Sequence, residues 1–282
     1  MFFVLSLILP ALASISVLIL TIMNNFEIWQ IILFPILSWL LIFIIICISI
    51  LLSLHFLGIK YAKTDDPFDK KRWRFMNDVS RFSCFWLGLR RKVVGLDKIK
   101  TNNTIVFYSN HVHFTDIILY DLVFIKYPRA SMYKEEHNTN PIFGKMVQAL
   151  GGVAVDRKND RSALMSVLKI IDKVKKGVNF MIYPEGTRSK DFMVGPYHPG
   201  SFKIPEKTHA TIVAVAIDYG KHVPCFLPFV RTNVYVEIVD VKEYEEYKDY
   251  NTQQLAEMFH DETQEAINKA RMKYKYLEVK KK

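Results

Sequence analysis

The sequence predicts an α/β domain, with a mixed, largely parallel sheet flanked by helices, preceded by an N-terminal membrane-embedded two-helix hairpin. Two observations carry this expectation. From Met1 to Gly58 the chain has no Lys or Arg, and Glu27 is the only acidic residue. Beyond about residue 93, short apolar runs alternate with stretches of helical periodicity, the pattern of strands joined by crossover helices.

Within the uncharged region, Phe2–Met23 and Ile31–Leu57 are each long enough to cross the ~30 Å hydrocarbon core as a helix. The polar turn Asn24-Asn25-Phe26-Glu27 separates them. Pro10 and Pro35 can kink these helices, so a hairpin dipping into one leaflet fits the residues as well as one that spans. A cleavable signal peptide would suit Ala11-Leu12-Ala13, but the run lacks a positively charged start and a second apolar run follows it.

Charge then appears abruptly. Lys60, Lys63, Lys70, Lys71, Arg72, Arg74, Arg81, Arg90, Arg91 and Lys92 are interleaved with Tyr61, Phe68, Trp73, Phe75, Phe82, Phe85 and Trp86. Cations flanking an apolar span mark the cytoplasmic side, and aromatic rings settle at headgroup level. The net charge of +10 would also permit nucleic acid, but the adjacent apolar helices make anionic lipid the more economical partner, and no nucleic-acid partner is expected. The chain therefore divides into a hairpin at 1–58, a basic-aromatic interface segment at 59–93 and a catalytic domain with a C-terminal helix at 94–282. Cys47, Cys84 and Cys225 show neither paired nor metal-ligand spacing.

In the third part, Thr104–Tyr108 reads as a buried strand and Thr115–Tyr127 as the helix after it. Pro141 opens a helix reaching Leu150, and Val153–Asp156 is a short strand. Leu164, Val167, Leu168, Ile171 and Val174 mark one helix face, which Gly177 terminates. Strands follow at Asn179–Tyr183, Ile212–Asp218 and Val234–Val239. The polar stretch from Thr252 to about Tyr276 reads as a solvated helix.

Two segments carry chemistry. The first strand runs into Ser109-Asn110-His111-Val112-His113-Phe114-Thr115-Asp116, which sets His111 five residues before Asp116 at a helix start. An imidazole oriented by a carboxylate activates a hydroxyl near neutral pH. Both residue types also serve as caps, and His113 is an internal rival for the base. Asn110 either holds the loop or donates to a developing oxyanion. The second segment is Tyr183-Pro184-Glu185-Gly186-Thr187-Arg188-Ser189. Gly186 permits close backbone approach, Thr187 offers a hydroxyl and Arg188 a planar fork suited to phosphate. A surface turn closed by a Glu185–Arg188 ion pair is the plainer alternative. Arg157 is a second phosphate candidate and Lys203 a third, or a solvated lysine. H-E-x-x-H and a Gly-rich nucleotide loop are both missing, so metalloprotease and kinase readings find no support.

Together these segments resemble the glycerolipid acyltransferase family, with its N-H-x-x-x-x-D and F-P-E-G-T-R-S motifs, and within it the bacterial 1-acyl-glycerol-3-phosphate acyltransferases. The resemblance runs from roughly Val94 to Val239 and includes Lys134-Glu135-Glu136, Pro141-Ile142-Phe143-Gly144, Gly151 to Arg157 and Gly200-Ser201-Phe202-Lys203. Tyr183 replaces the usual Phe, Ala154 a frequent aromatic and Ala214 a frequent proline; the last two bear on the shape of the acyl pocket.

The resemblance implies that His111 takes the proton of the acceptor hydroxyl, which attacks a thioester carbonyl, while Asp116 orients the ring. It implies that Arg157, Glu185, Gly186, Thr187 and Arg188 bind the acceptor phosphate, supported by Asn110 and Lys203. No metal or cofactor is implied; acyl-CoA or an acyl carrier protein thioester is the co-substrate. Lysophosphatidic acid and membrane phospholipid are the implied partners, with the catalytic domain on the cytoplasmic face of the membrane and phosphatidic acid as product. The family's shallow two-helix element favours a hairpin within one leaflet. The alternatives are acylation of glycerol-3-phosphate or another lysophospholipid, and a non-catalytic lipid-binding protein of the same fold.

Overall fold

A computed structural model describes residues 2–62, 68–156, 160–189, 193–220 and 230–277. The apolar runs form α1 (Phe2–Met23) and α2 (Ile28–Ala62), both long and apolar enough to cross a membrane by length and composition. Their leucines and isoleucines point largely outward, as lipid-facing side chains would. At 35 residues α2 outruns the 22 of α1, and its surplus lies against protein. Ile46 and Ile50 pack with Val79, Phe75 and Phe82, and His55 Nδ1 lies 3.1 Å from the Pro141 carbonyl oxygen.

The expected interface segment is itself structured. Lys70–Trp86 forms α3, capped by the Asp69 carboxylate accepting from Lys71 N at 2.7 Å. Arg72, Trp73, Val79, Ser80 and Cys84 on this helix are buried, so they face protein, not headgroups. The Arg72 guanidinium donates to the Ala149 carbonyl at 2.5 Å and lies 4.7 Å from the Tyr61 ring. Lys71, Arg74 and Arg81 keep their side chains outward.

The strands are β1 (Leu89–Val94), β2 (Ile105–Ser109), β3 (Arg129–Lys134), β4 (Val153–Val155), β5 (Asn179–Ile182), β6 (Thr211–Asp218) and β7 (Thr232–Lys242). They form one sheet in the order β1-β7-β6-β2-β5-β3-β4, parallel throughout except at β6–β7. β1 and β3 escaped the sequence reading because their Arg-Arg-Lys and Arg-Ala-Ser runs break apolar patterning. β1 is an edge strand, where charge is tolerated and discourages further pairing.

The helices of the catalytic half are α4 (Asp116–Val123), α5 (Phe143–Ala149), α6 (Asp160–Lys175), α7 (Lys203–Thr208), α8 (Tyr244–Tyr247) and α9 (Thr252–Lys273). All five residues of β2 and all eight of β6 are buried, because helices cover both faces of the sheet. Val106, Tyr108, Ile212 and Ala214 face a core shared with Ile170, Phe202 and Phe259, whereas Ile105, Phe107, Val213 and Val215 face Leu119, Leu122, Val123 and Phe124. β2 therefore sits at the centre, and its C-terminal end delivers Asn110 and His111 between two packed layers.

The expectation of a solvated C-terminal helix is corrected. Leu255, Ala256, Phe259, Thr263, Ala266, Ile267 and Ala270 form a buried stripe on α9. Large apolar and small residues at spacings of three and four make this stripe, which polar neighbours conceal in composition. Phe259 stacks on Phe202 with centroids 5.9 Å apart, and the Arg271 guanidinium donates to both oxygens of Asp218 at 2.7 and 3.1 Å. Phe259→Ala is expected to cost about 3–5 kcal/mol. Denaturant unfolding in detergent measures this; a mutant as stable as the parent would restore the solvated helix.

Candidate active site

The site grows from the C-terminal end of β2. Asn110 continues the strand with its side chain: Nδ2 donates to the Ile217 carbonyl and Oδ1 accepts from Ile217 N, both at 2.9 Å. The amide thus acts as an extra rung between β2 and β6, the geometry of the loop-holding alternative. The chain then turns, and Asp116 becomes the first residue of α4, where a carboxylate complements the helix dipole.

Asp116 is fully buried and accepts from four donors. His111 Nδ1 at 2.7 Å, Val112 N at 2.9 Å and His113 N at 3.0 Å reach Oδ2, and the Tyr219 hydroxyl reaches Oδ1 at 2.6 Å. Apart from His111, the two backbone N–H groups and the phenol all donate to it, which are the surroundings of an ionised carboxylate. An ionised carboxylate has no hydrogen to give, so His111 Nδ1 carries the proton and Nε2 keeps its lone pair. The His111 side chain is 20% exposed and stacks on Tyr183 with centroids 4.3 Å apart, which fixes the plane of the ring.

His113 gives only its backbone N–H to Asp116; its ring Nδ1 lies 2.9 Å from Thr115 Oγ1. Burial pushes the His113 ring below its ordinary titration range, with Asp116 pulling the other way. Of the two rival histidines, His111 is the one paired with the carboxylate.

The second segment leaves β5 and wraps around His111. Glu185 is buried, and its Oε1 accepts from His111 N at 2.9 Å and Ser189 Oγ at 2.8 Å, while Oε2 accepts from Gly195 N at 2.9 Å. Ser189 N donates back to the His111 carbonyl at 2.5 Å. Burial raises the Glu185 carboxyl above the usual range, although these hydrogen bonds pull it down. Both Glu185 oxygens thus hold the protein's own donors, which gives this residue an anchoring place in the wall around His111. It does not pair with Arg188.

Gly186 takes a left-handed φ of 68°, and a Cβ there would approach the His198 ring to 3.3 Å, so both conformation and space favour glycine. Thr187 and Arg188 stand exposed, with no side-chain hydrogen bond or ion pair among the described residues. Lys203 is exposed at the start of α7 and makes no described contact with the His111–Asp116 pair. Arg157 lies outside the described residues. No cluster of three His, Cys, Asp or Glu suited to a metal occurs among the described residues. Sequence reasoning missed Tyr219, Ser189 and Gly195, which reach the site through the sheet or the returning loop.

A family model described as Acyltransferase matches residues 90–218. The chain carries an acyltransferase-family domain. The domain's relatives include the 1-acyl-sn-glycerol-3-phosphate acyltransferase BAT2 of Brassica napus, 29% identical over 56% of this chain and 46% of that one. They also include that of Pseudomonas aeruginosa, 28% identical over 56% of this chain and 62% of that one. The chain matches about half the length of the first plant relatives, 46% of BAT2 and 49% of the Arabidopsis thaliana LPAT1 protein. The crystal structure of the 1-acyl-sn-glycerophosphate (LPA) acyltransferase of Thermotoga maritima shares the fold, with a TM-score of 0.65 and 22% identity over 82% of this chain and 94% of that one.

The domain's second motif yields a stability test. Glu185→Ala orphans the buried N–H groups of His111 and Gly195 and is expected to cost about 1–3 kcal/mol. Glu185→Gln keeps one acceptor oxygen and should cost less. Chemical unfolding of both variants checks this, and an unaltered Glu185→Ala would remove the carboxylate from its anchoring role.

Proposed function

We propose that the chain transfers a fatty acyl group from a thioester donor to the sn-2 hydroxyl of 1-acyl-glycerol-3-phosphate, forming phosphatidic acid. The observation that carries this is the 2.7 Å bond between His111 Nδ1 and buried Asp116, which leaves Nε2 as a base beside the loop bearing Arg188. His111 Nε2 removes the hydroxyl proton as the oxygen attacks the thioester carbonyl. A C–O bond forms, the C–S bond breaks, and the proton passes from the imidazolium to the departing thiolate. Asp116 holds the tautomer and stabilises the imidazolium meanwhile. The acceptor hydroxyl is itself the nucleophile, so no acyl-enzyme is formed.

Arg188 supplies the fork for the acceptor phosphate, with Thr187 and the Gly186 backbone beside it and Arg157 as a second cation. Either coenzyme A or acyl carrier protein would deliver the acyl group. The hairpin at 1–58 embeds in the membrane, the exposed cations of 59–93 meet anionic phospholipid, and the catalytic domain lies on the cytoplasmic face. That placement is supported by the outward-facing leucines and isoleucines of α1 and α2.

The decisive experiment is an acyl-transfer assay in detergent, offering 1-acyl-glycerol-3-phosphate, glycerol-3-phosphate and other lysophospholipids against both thioester donors. Preference for another acceptor would replace the substrate, and no transfer to any would leave the lipid-binding alternative. In the same assay His111→Ala should lose about 10²–10⁴-fold in rate. His113→Ala should lose far less; the reverse ranking would move the base to His113.

Arg188→Ala should raise KM for the phosphate-bearing acceptor much more than for the donor. Arg188→Lys should rescue it only in part, because an ammonium cannot reproduce a two-pronged contact. A variant whose sole defect is a lower Tm would return Arg188 to a structural role.

A further inference from the structure

We propose that Tyr219 is a positioning residue for Asp116, and that Thr115 and His113 complete a one-way hydrogen-bond chain that sets how strongly this carboxylate holds the His111 ring. The inference rests on the acyl-transfer reading for its kinetic consequences but on geometry alone for the chain itself.

The direction of the chain is forced from its carboxylate end. Tyr219 has one hydroxyl hydrogen, and its 2.6 Å contact with Asp116 Oδ1 claims it, since the carboxylate can only accept. Thr115 Oγ1, 3.0 Å from the Tyr219 oxygen, must then donate to that oxygen. With its own hydrogen spent, Thr115 Oγ1 accepts from His113 Nδ1 at 2.9 Å. The Thr115 N–H, 3.4 Å from the same ring nitrogen, is the longer and weaker contact, so the 2.9 Å bond sets the tautomer. Each member donates towards Asp116, and such chains strengthen each bond in turn.

The surroundings keep the chain in this state. Tyr219 and Thr115 are buried, and burial together with the Asp116 charge holds the Tyr219 phenol far above its ordinary titration range, so it remains a donor. Burial favours the neutral His113 ring, and the chain asks of it only a hydrogen on Nδ1. Tyr219 follows β6 directly, whose Ile217 is clasped by Asn110 beside His111, so the phenol and the dyad are set by one pair of strands. Oδ2 of Asp116 fixes the local loop; Oδ1 receives its only described donor from Tyr219.

Sharing the carboxylate's charge with Tyr219 leaves less for His111, so removing the phenol hydroxyl should tighten the His111–Asp116 bond and stabilise the imidazolium, while freeing Oδ1 from its one described anchor, which leaves a stronger base less well placed for attack. The groups facing this pair are Tyr120 from α4, Tyr183 and Glu185 from β5 and its loop, Arg188 from that loop, and His113. None of them is altered by Tyr219→Phe.

The test is Tyr219→Phe and Thr115→Val in the full chain, with kinetics in detergent across pH and NMR of ring-labelled histidine. Tyr219→Phe is expected to lower kcat about 10–100-fold, the range of one hydrogen bond to a charged group, with both KM values little changed. The acidic limb of kcat/KM should move to higher pH, and the His111 Nδ1–H resonance should shift downfield. Thr115→Val should move all three readouts the same way by less. A Tyr219→Phe enzyme with the parental kcat, pH profile and resonance would overturn the proposal. If Tyr219→Phe does not fold, Thr115→Val decides alone, and parental values there would overturn it. Should the parent transfer no acyl group to any acceptor, the function is wrong, while the resonance still reports whether Tyr219 governs the Asp116–His111 bond.

Discussion

Four hydrogen bonds converging on one buried carboxylate hold the catalytic end of the sheet together. Asp116 is fully buried, and an ionised carboxylate in that position costs several kcal/mol unless its lone pairs are filled. They are filled by one ring nitrogen, two loop N–H groups and one phenol. The loop between β2 and α4 therefore has little freedom: a rearrangement that withdrew a donor would leave charge uncompensated. The same constraint that shapes the loop turns His111 Nδ1 towards Asp116 and leaves Nε2 on the far side of the ring.

Glu185 applies this logic a second time. Its two oxygens gather the backbone of His111, the hydroxyl of Ser189 and the backbone of Gly195, so two distant segments become one wall. The acidic residues of both motifs are spent on the protein itself. The polar groups left facing outward, Thr187 and Arg188, are those with chemistry suited to a phosphate. Structural and recognition duties are thus divided between buried carboxylates and exposed donors.

The two apolar helices are joined to this site through α3. Ser80 on that helix donates to Asp121 at 2.9 Å, and Asp121 lies one turn and a little beyond Asp116 on α4. Arg129 from β3 reaches the same carboxylate at 3.4 Å. Burial raises the Asp121 carboxyl and lowers the Arg129 guanidinium, so desolvation outweighs attraction for both partners. Such a pair adds little to stability, and its value here is geometric: it registers α3, α4 and β3 against one another. Because α3 also carries Phe75, Val79 and Phe82 against α2, the hairpin and the catalytic helix share one continuous packing surface.

What the sequence by itself determined was everything local in chain or period. The uncharged run to Gly58 dictated the two long helices, period and turn residues dictated β2, α6 and β6, and a spacing of five put His111 and Asp116 within reach. Tertiary structure decided what depends on partners far along the chain. It paired the ring of His111, not that of His113, with Asp116, turned Glu185 inward, buried one stripe of α9, and brought Tyr219 to Asp116 across 103 positions. The physical reason is that a side chain's pattern reports which face it presents, whereas its role follows from the donors and acceptors that folding sets opposite it. Those are fixed only when β2 and β6 pair and the loop after β5 closes over them.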